Sequence, residues 1–246
     1  IVSNATPHVG SGVVVNLDIE GFFPTVHDRR IKGIFRQMGY SEQVATILAL
    51  ICSEPEVAAV ELDGRTYHVA RGRRFLPQGS PASPAISNLI CRGLDASLSK
   101  VAADLEFRYT RYADDMTFSG PAEADAQVGR LLRRVRFVVE REGFRVHPEK
   151  TRILRRGRRQ EVTGLVVNDR VNVSRSELRR FRATLYQIEK DGPEGKRWRD
   201  GADVLASIEG FANFVAMVDP DRGDELRRRV AAILDRHRPG RRSRRP

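Results

Sequence analysis

The feature that most constrains this chain is Gly12-Val13-Val14-Val15-Asn16-Leu17-Asp18-Ile19, an apolar, β-branched run of strand length ending on a carboxylate. It predicts a buried strand, and such a strand holds a carboxylate only where water, a donor or a cation meets it. Alone, Asp18 reads as a cap for the next helix. A second acidic feature changes that reading. Asp114 and Asp115 adjoin in Tyr112-Ala113-Asp114-Asp115, between two expected short strands, Glu106 to Arg111 and Met116 to Ser119. Adjacent anions repel unless something positive neutralises them, although on an open turn water suffices. Three oxygen donors at two strand ends suit Mg2+, which prefers carboxylates plus substrate phosphates. Two such ions side by side are the arrangement for in-line phosphoryl transfer.

The charge balance points to a polyanionic partner. The 246 residues carry a net charge of +11 at pH 7, mostly from Arg, and the pI is about 10.4. Arg offers phosphate a rigid fork, so nucleic acid is the first candidate. A codon bias toward Arg explains Arg in place of Lys, but not the surplus. A hydrophobic share of 40% allows a real core and excludes general disorder. Cys52 and Cys91 lie in apolar helical surroundings and are expected to be reduced, forming neither a disulfide framework nor a zinc site. No apolar run approaches the roughly twenty residues that span a bilayer, and no signal peptide opens the chain. A start at Ile1, without Met, predicts a beginning inside a longer or processed protein.

Strands and helices mix up to about residue 173, and an Arg-rich helical segment follows. Helices are expected from Pro24 to Met38, from Ser41 to Cys52, from Ser83 to Val101 and from Glu123 to Glu142. Val57 to Val69, broken at Asp63-Gly64, predicts a hairpin with a type I′ turn. Arg152 to Leu154, Glu161 to Val167 and a stretch near Val171 read as short strands. Ser174–Lys190, Trp198–Val218 and Asp221–Arg236 read as helices. Arg175, Arg179, Arg180 and Arg182 recur at near-helical spacing opposite Phe181, Leu185 and Ile188, a pattern that fits either a solvated face or a phosphate grip.

Three segments occur in order: Leu17-Asp18-Ile19-Glu20-Gly21-Phe22-Phe23-Pro24, Leu76-Pro77-Gln78-Gly79-Ser80-Pro81-Ala82-Ser83-Pro84 and Tyr112-Ala113-Asp114-Asp115. They resemble the A, B and C motifs of reverse transcriptases in the bacterial style of group II introns and retrons. Asn4-Ala5-Thr6-Pro7-His8 and Val162-Thr163-Gly164 resemble two markers of the retron type. The similarity covers about residues 4 to 220. It implies an α+β fold: a right-hand polymerase palm, an antiparallel sheet backed by helices, with partial fingers and an all-helical thumb. The expected divisions are a palm over 1–173 with fingers inserted at about 26–75, a thumb over 174–237 and a basic disordered tail over 238–246.

The resemblance implies a retron-type RNA-directed DNA polymerase that copies a structured non-coding RNA into DNA in phage defence. The alternatives are a group II-intron-like or abortive-infection reverse transcriptase, and a non-catalytic RNA-binding scaffold. Asp18, Asp114 and Asp115, with the Ile19 carbonyl, would hold two Mg2+ ions, for which Mn2+ can substitute. Lys150 would neutralise or protonate leaving pyrophosphate. Phe23 would be a steric gate against the 2′-hydroxyl, Phe22 a core residue, and Gln78-Gly79 and Tyr112 would lie at the incoming nucleotide and primer terminus. Thr163, Gly164, Arg175, Arg179 and Arg182 would touch nucleic acid. Each also has an ordinary reading: core aromatics for Phe23 and Tyr112, surface for Lys150, a strand bulge at Gly164, a structural His8. The implied partners are a structured RNA template, a DNA or RNA primer, dNTPs and either an effector protein or a fingers-bearing segment, in the bacterial cytoplasm and without a membrane. The family's N-terminal fingers segment has no counterpart here, and Arg71, Arg73 and Arg74 stay unassigned as phosphate contacts.

Overall fold

A computed structural model describes residues 1–237; the tail expected to be disordered, 238–246, lies outside the described residues. The chain forms two compact units, Ser11–Arg156 and a second made of Ile1–Gly10 with the chain from Gly157 on. In the second unit a helical turn, α1 (Val2–Ala5), and a 3-10 turn (Thr6–His8) bury Ala5 and His8. His8 is thus a core residue.

The first unit is built on β1 (Val13–Asp18). α2 (Phe22–Thr25) and α3 (Asp28–Gln37) follow as two helices where one was expected. The break falls at Val26, which is fully buried and whose carbonyl accepts from Leu76 N–H at 2.9 Å. Ser41 caps α4 (Glu42–Ile51), its Oγ accepting from Val44 N–H. The expected hairpin is β2 (Glu54–Leu62) with β3 (Arg65–Phe75). Its turn residues Asp63 and Gly64 both have positive φ, 51° and 70°, as a type I′ turn requires. Arg74 is committed to structure: its guanidinium donates to the Leu50 carbonyl and to the Ser53 hydroxyl and carbonyl at the end of α4. The expected long helix divides at Cys91 into α5 (Ser83–Ile90) and α6 (Arg92–Ala103).

β4 (Arg108–Tyr112), β5 (Asp115–Gly120), α7 (Val128–Arg141) and β6 (Arg152–Arg155) complete this unit. The sheet runs β4-β5-β1-β6, every pair antiparallel. Period-two alternation gives it two unlike faces. Val13, Val15, Leu17, Met116 and Phe118 share a core with Leu94, Leu98, Leu131 and Val135 of α6 and α7. Asn16, Asp18, Thr117 and Asp115 point the other way, and Thr117 Oγ1 donates to Asn16 Oδ1 at 3.0 Å. Both cysteines are free, Cys91 buried and Cys52 half-buried.

In the second unit β7 (Glu161–Val162) and β8 (Leu165–Val166) form a small hairpin. Thr163 and Gly164 are its turn, with φ of 46° and 79°. This replaces the expected continuous strand and the bulge at Gly164. The compact division falls at Gly157, ahead of the boundary expected at Ser174. Val162, Leu165, Val167 and Val173 are buried, and the Val167 carbonyl accepts from Gly10 N–H at 3.0 Å. Three helices follow: α8 (Arg175–Asp191), α9 (Val204–Val218) and α10 (Pro220–His237). α9 starts six residues after the expected Trp198, because Asp203 Oδ1 accepts from Leu205 and Ala206 N–H and sets the cap there. Trp198 instead packs on Phe181 and Phe211. No helix among the described residues is long and apolar enough to cross a membrane.

Candidate active site

The sheet register brings the predicted carboxylates together. Asp18, last residue of β1, stands opposite Asp115, first residue of β5. Ile19 N–H donates to the Asp114 carbonyl at 3.1 Å, pinning the Asp114–Asp115 turn to the end of β1. Since the next pair carries the ladder bond, Asp18 and Asp115 are a non-hydrogen-bonded pair, whose side chains stand closest. On the other side, His147 N–H donates to the Asp18 carbonyl at 2.7 Å and Glu20 N–H to the Arg145 carbonyl at 2.8 Å. That bridge delivers Lys150, whose Nζ lies 3.0 Å from Asp18 Oδ1.

Asp18, Asp114, Asp115 and Lys150 share one field. Partial desolvation, then the charges of Asp114 and Asp18, raise the Asp115 carboxyl above its ordinary range, while Lys150 and Arg152 act against this. The bond to Asp18 and the charges of all three carboxylates raise the Lys150 ammonium. The carboxylates do not form a closed cage: among the described residues no three His, Cys, Asp or Glu side chains gather tightly enough to hold an ion by themselves. Mg2+ does not need such a cage, since it is held by one or two carboxylates together with water and substrate phosphates. Facing anions whose direct counter-charge is a single exposed Lys fit a divalent cation.

The other predicted residues of this unit fall nearby in sequence, with mixed surroundings. Phe22 is buried, as expected; Phe23 is half-buried, packs against the core and meets the Phe22 ring edge-on at 5.2 Å. Tyr112 is 51% exposed, which excludes the core-aromatic reading. Gln78 and Gly79 are exposed, on a loop that Ser83 Oγ braces by donating to the Pro77 carbonyl at 2.6 Å. Gly79 has φ of 93°, so glycine is required there by backbone conformation. No hydrogen bond or ion pair among the described residues joins Gln78 or Gly79 to the carboxylates. Sequence reasoning missed Arg111 and Asp95, an ion pair at 2.7 Å. The signal was the alternation that puts Arg111 and Tyr109 on one side of β4.

Thr163, Gly164, Arg175, Arg179 and Arg182 belong to the second unit. Arg175, Arg179 and Arg182, at i, i+4 and i+7, line one open pocket of about 780 Å3, which Arg159, Arg170 and Arg222 also border. Glu161 pairs with Arg159, and Asp219 with Arg170 and Arg222. Among the described residues no carboxylate pairs with Arg175, Arg179 or Arg182. Arg180 faces elsewhere, its guanidinium 5.6 Å from the Trp198 ring centre. The guanidinia of Arg175, Arg179 and Arg182, without a carboxylate partner among the described residues, make the pocket lining strongly positive.

Residues 2–178 match the reverse transcriptase (RNA-dependent DNA polymerase) family. The chain is 45% identical over 237 residues to the retron Mx162 reverse transcriptase of Myxococcus xanthus, covering 91% of this chain and 48% of that protein. It is 41% identical over 229 residues to the retron Mx65 reverse transcriptase of the same organism, covering 93% and 52%. The chain thus spans about half the length of these curated relatives. Among solved structures, telomerase from Candida albicans, determined with a fragment of telomeric RNA, aligns with a TM-score of 0.51 at 11% identity. That alignment covers 91% of this chain and 40% of the telomerase, and shows a shared fold. With the three motifs in order and two carboxylates facing across β1 and β5, the chain belongs to the reverse transcriptase family, and over most of its length it is similar to retron reverse transcriptases.

Proposed function

We propose that this chain is an RNA-directed DNA polymerase that extends a primer with dNTPs on a structured RNA template. The observation that carries this reading is the facing of Asp18 and Asp115, with Asp114 beside them, on the polar side of the sheet. The reaction joins a primer 3′-oxygen to the α-phosphorus of a dNTP and breaks the bond from that phosphorus to pyrophosphate. Asp18, Asp114, Asp115 and the Ile19 carbonyl would hold two divalent ions, Mg2+ or Mn2+, which when bound would supply Lewis-acid polarisation and neutralise developing charge.

The remaining roles belong to the chain itself. Lys150, beside Asp18, gives the departing pyrophosphate a positive charge or a proton. Phe23 excludes a 2′-hydroxyl, Gln78-Gly79 lies under the incoming nucleotide, and Tyr112 packs near the primer end. Arg175, Arg179 and Arg182 hold template or primer phosphates, and the Thr163–Gly164 turn contacts the cognate RNA. Primer extension on an RNA template with dNTPs and Mg2+ tests the reading, beside the Asp114→Ala/Asp115→Ala variant. Extension by the chain and none by the variant, with RNA binding kept, is the expected result. Extension that survives the double change rejects the site.

A further inference from the structure

Beneath the Asp114–Asp115 turn lies a polar network that the proposed chemistry does not use. The Arg111 side chain is only 4% exposed, and such a cation must be fully paired. Its Nε and Nη2 donate to the two Asp95 oxygens of α6 at 2.8 and 2.7 Å, a bidentate fork. Tyr109 Oη donates to Asp95 Oδ1 at 2.9 Å, holding the carboxylate from the other side. The third arm is distinctive: Arg111 Nη1 donates to the Ala113 carbonyl at 2.8 Å. Ala113 has φ of 54°, in the left-handed region that a residue with a Cβ adopts at a cost. The next peptide carries Asp114, whose carbonyl accepts from Ile19 N–H at 3.1 Å.

We propose that Arg111 is a positioning residue. Anchored on Asp95, it clamps the Ala113 carbonyl, holds the turn in its left-handed conformation and so places Asp114 and Asp115 against the end of β1. A Leu or Met at this position would satisfy the core but take the donor from the Ala113 carbonyl and leave Asp95 with the Tyr109 hydroxyl and no counter-charge. Three donors fixed in one plane join a helix to a strained turn, a geometry that Lys cannot reproduce. The inference rests on the polymerase reading for what the placement serves, but the clamp itself is a statement about the turn.

The test is Arg111→Lys in the full chain, which keeps the positive charge facing Asp95 but loses the fork and the arm to Ala113. Tyr109→Phe is the control, since it removes one bond to Asp95 and leaves the arm intact. Amide exchange at Ile19 reports the turn directly, and Val14 and Val15 report the central strand. In Arg111→Lys, Ile19 should exchange about ten-fold faster or more while Val14 and Val15 keep their protection. In primer extension kcat should fall about 10- to 100-fold with the template-primer KM little changed, as a misplacement near 1 Å produces. Tyr109→Phe should match the wild type in both assays. Unchanged exchange at Ile19 in Arg111→Lys overturns the proposal. So does equal loss of protection at Ile19, Val14 and Val15, which makes Arg111 a fold-stabilising residue only. If the wild-type chain makes no DNA while Ile19 alone loses protection in the variant, the clamp stands and the polymerase reading falls.

Discussion

Asp115→Asn should make the metal-free protein more stable while destroying its activity. Asp18 and Asp115 form a close cross-strand pair, and like charges so placed destabilise by about 0.2–1 kcal/mol. Asp115 is exposed, so solvent screening keeps the gain in the lower part of that range, about 0.2–0.5 kcal/mol. For a chain of 246 residues that raises Tm by about 0.4–2 °C. The pH dependence has a definite sign. The Asp115 pKa is raised above 3.8 in the fold, so folding disfavours its ionised form. That penalty is complete at neutral pH and fades as pH falls through the raised value toward 3.8. The stability advantage of Asp115→Asn should fade in the same window. The assay is thermal unfolding in a chelator at neutral and acidic pH, repeated with Mg2+. Mg2+ should raise the wild-type Tm and leave the variant nearly unmoved. A variant less stable than wild type at neutral pH, or equally stabilised by Mg2+, refutes the picture of two facing anions awaiting a cation.

Phe23→Val should admit ribonucleotides while retaining dNTP incorporation, read as a changed rNTP/dNTP ratio of kcat/KM; an unchanged ratio removes Phe23 from the gate. Replacing Arg175, Arg179 and Arg182 together with Gln should weaken binding to all RNAs alike. It should also flatten the slope of log K against log salt by about 2, at about 0.7 per lost phosphate contact on single strands. The paired arms of Arg229 reach both Glu189 oxygens at 2.6 and 2.7 Å and join α8 to α10. Arg229→Ala should therefore cost about 1 kcal/mol at pH 7. Arg229 lowers the Glu189 pKa below 4.5, so the gap between variant and wild type should be full above pH 4.5 and close as pH falls through the lowered value.

What could be read in the chain before folding was whatever depends on local order. Val13 to Asp18 is a strand because its residues are β-branched and apolar, and Asp63-Gly64 is a turn because both residues tolerate positive φ. Spacing at i, i+4 and i+7 put Arg175, Arg179 and Arg182 on one face. What escaped depends on partners distant in sequence. Val26 leaves its helix to meet Leu76, fifty residues away. Trp198 looks like a helix start, yet it is claimed by Phe181 and Phe211. Arg111 looks like one more base in an Arg-rich chain until Asp95 and Ala113 are seen around it. Thr163-Gly164 was legible as a motif but not as a turn, because Thr rarely adopts φ of 46°.

The division of the chain has a consequence for its synthesis. The unit of residues Ser11–Arg156 is an insertion, its entry and exit tied together where Arg156 N–H donates to the Gly12 carbonyl at 2.8 Å. It can close as soon as Arg156 has left the ribosome. Ile1–Gly10 cannot, because Val167, whose carbonyl accepts from Gly10 N–H, lies beyond the whole insertion. Contacts of such long sequence separation form late. This segment therefore waits for a partner far along the chain, and Ala5 and His8, both fully buried in the finished fold, spend that interval exposed.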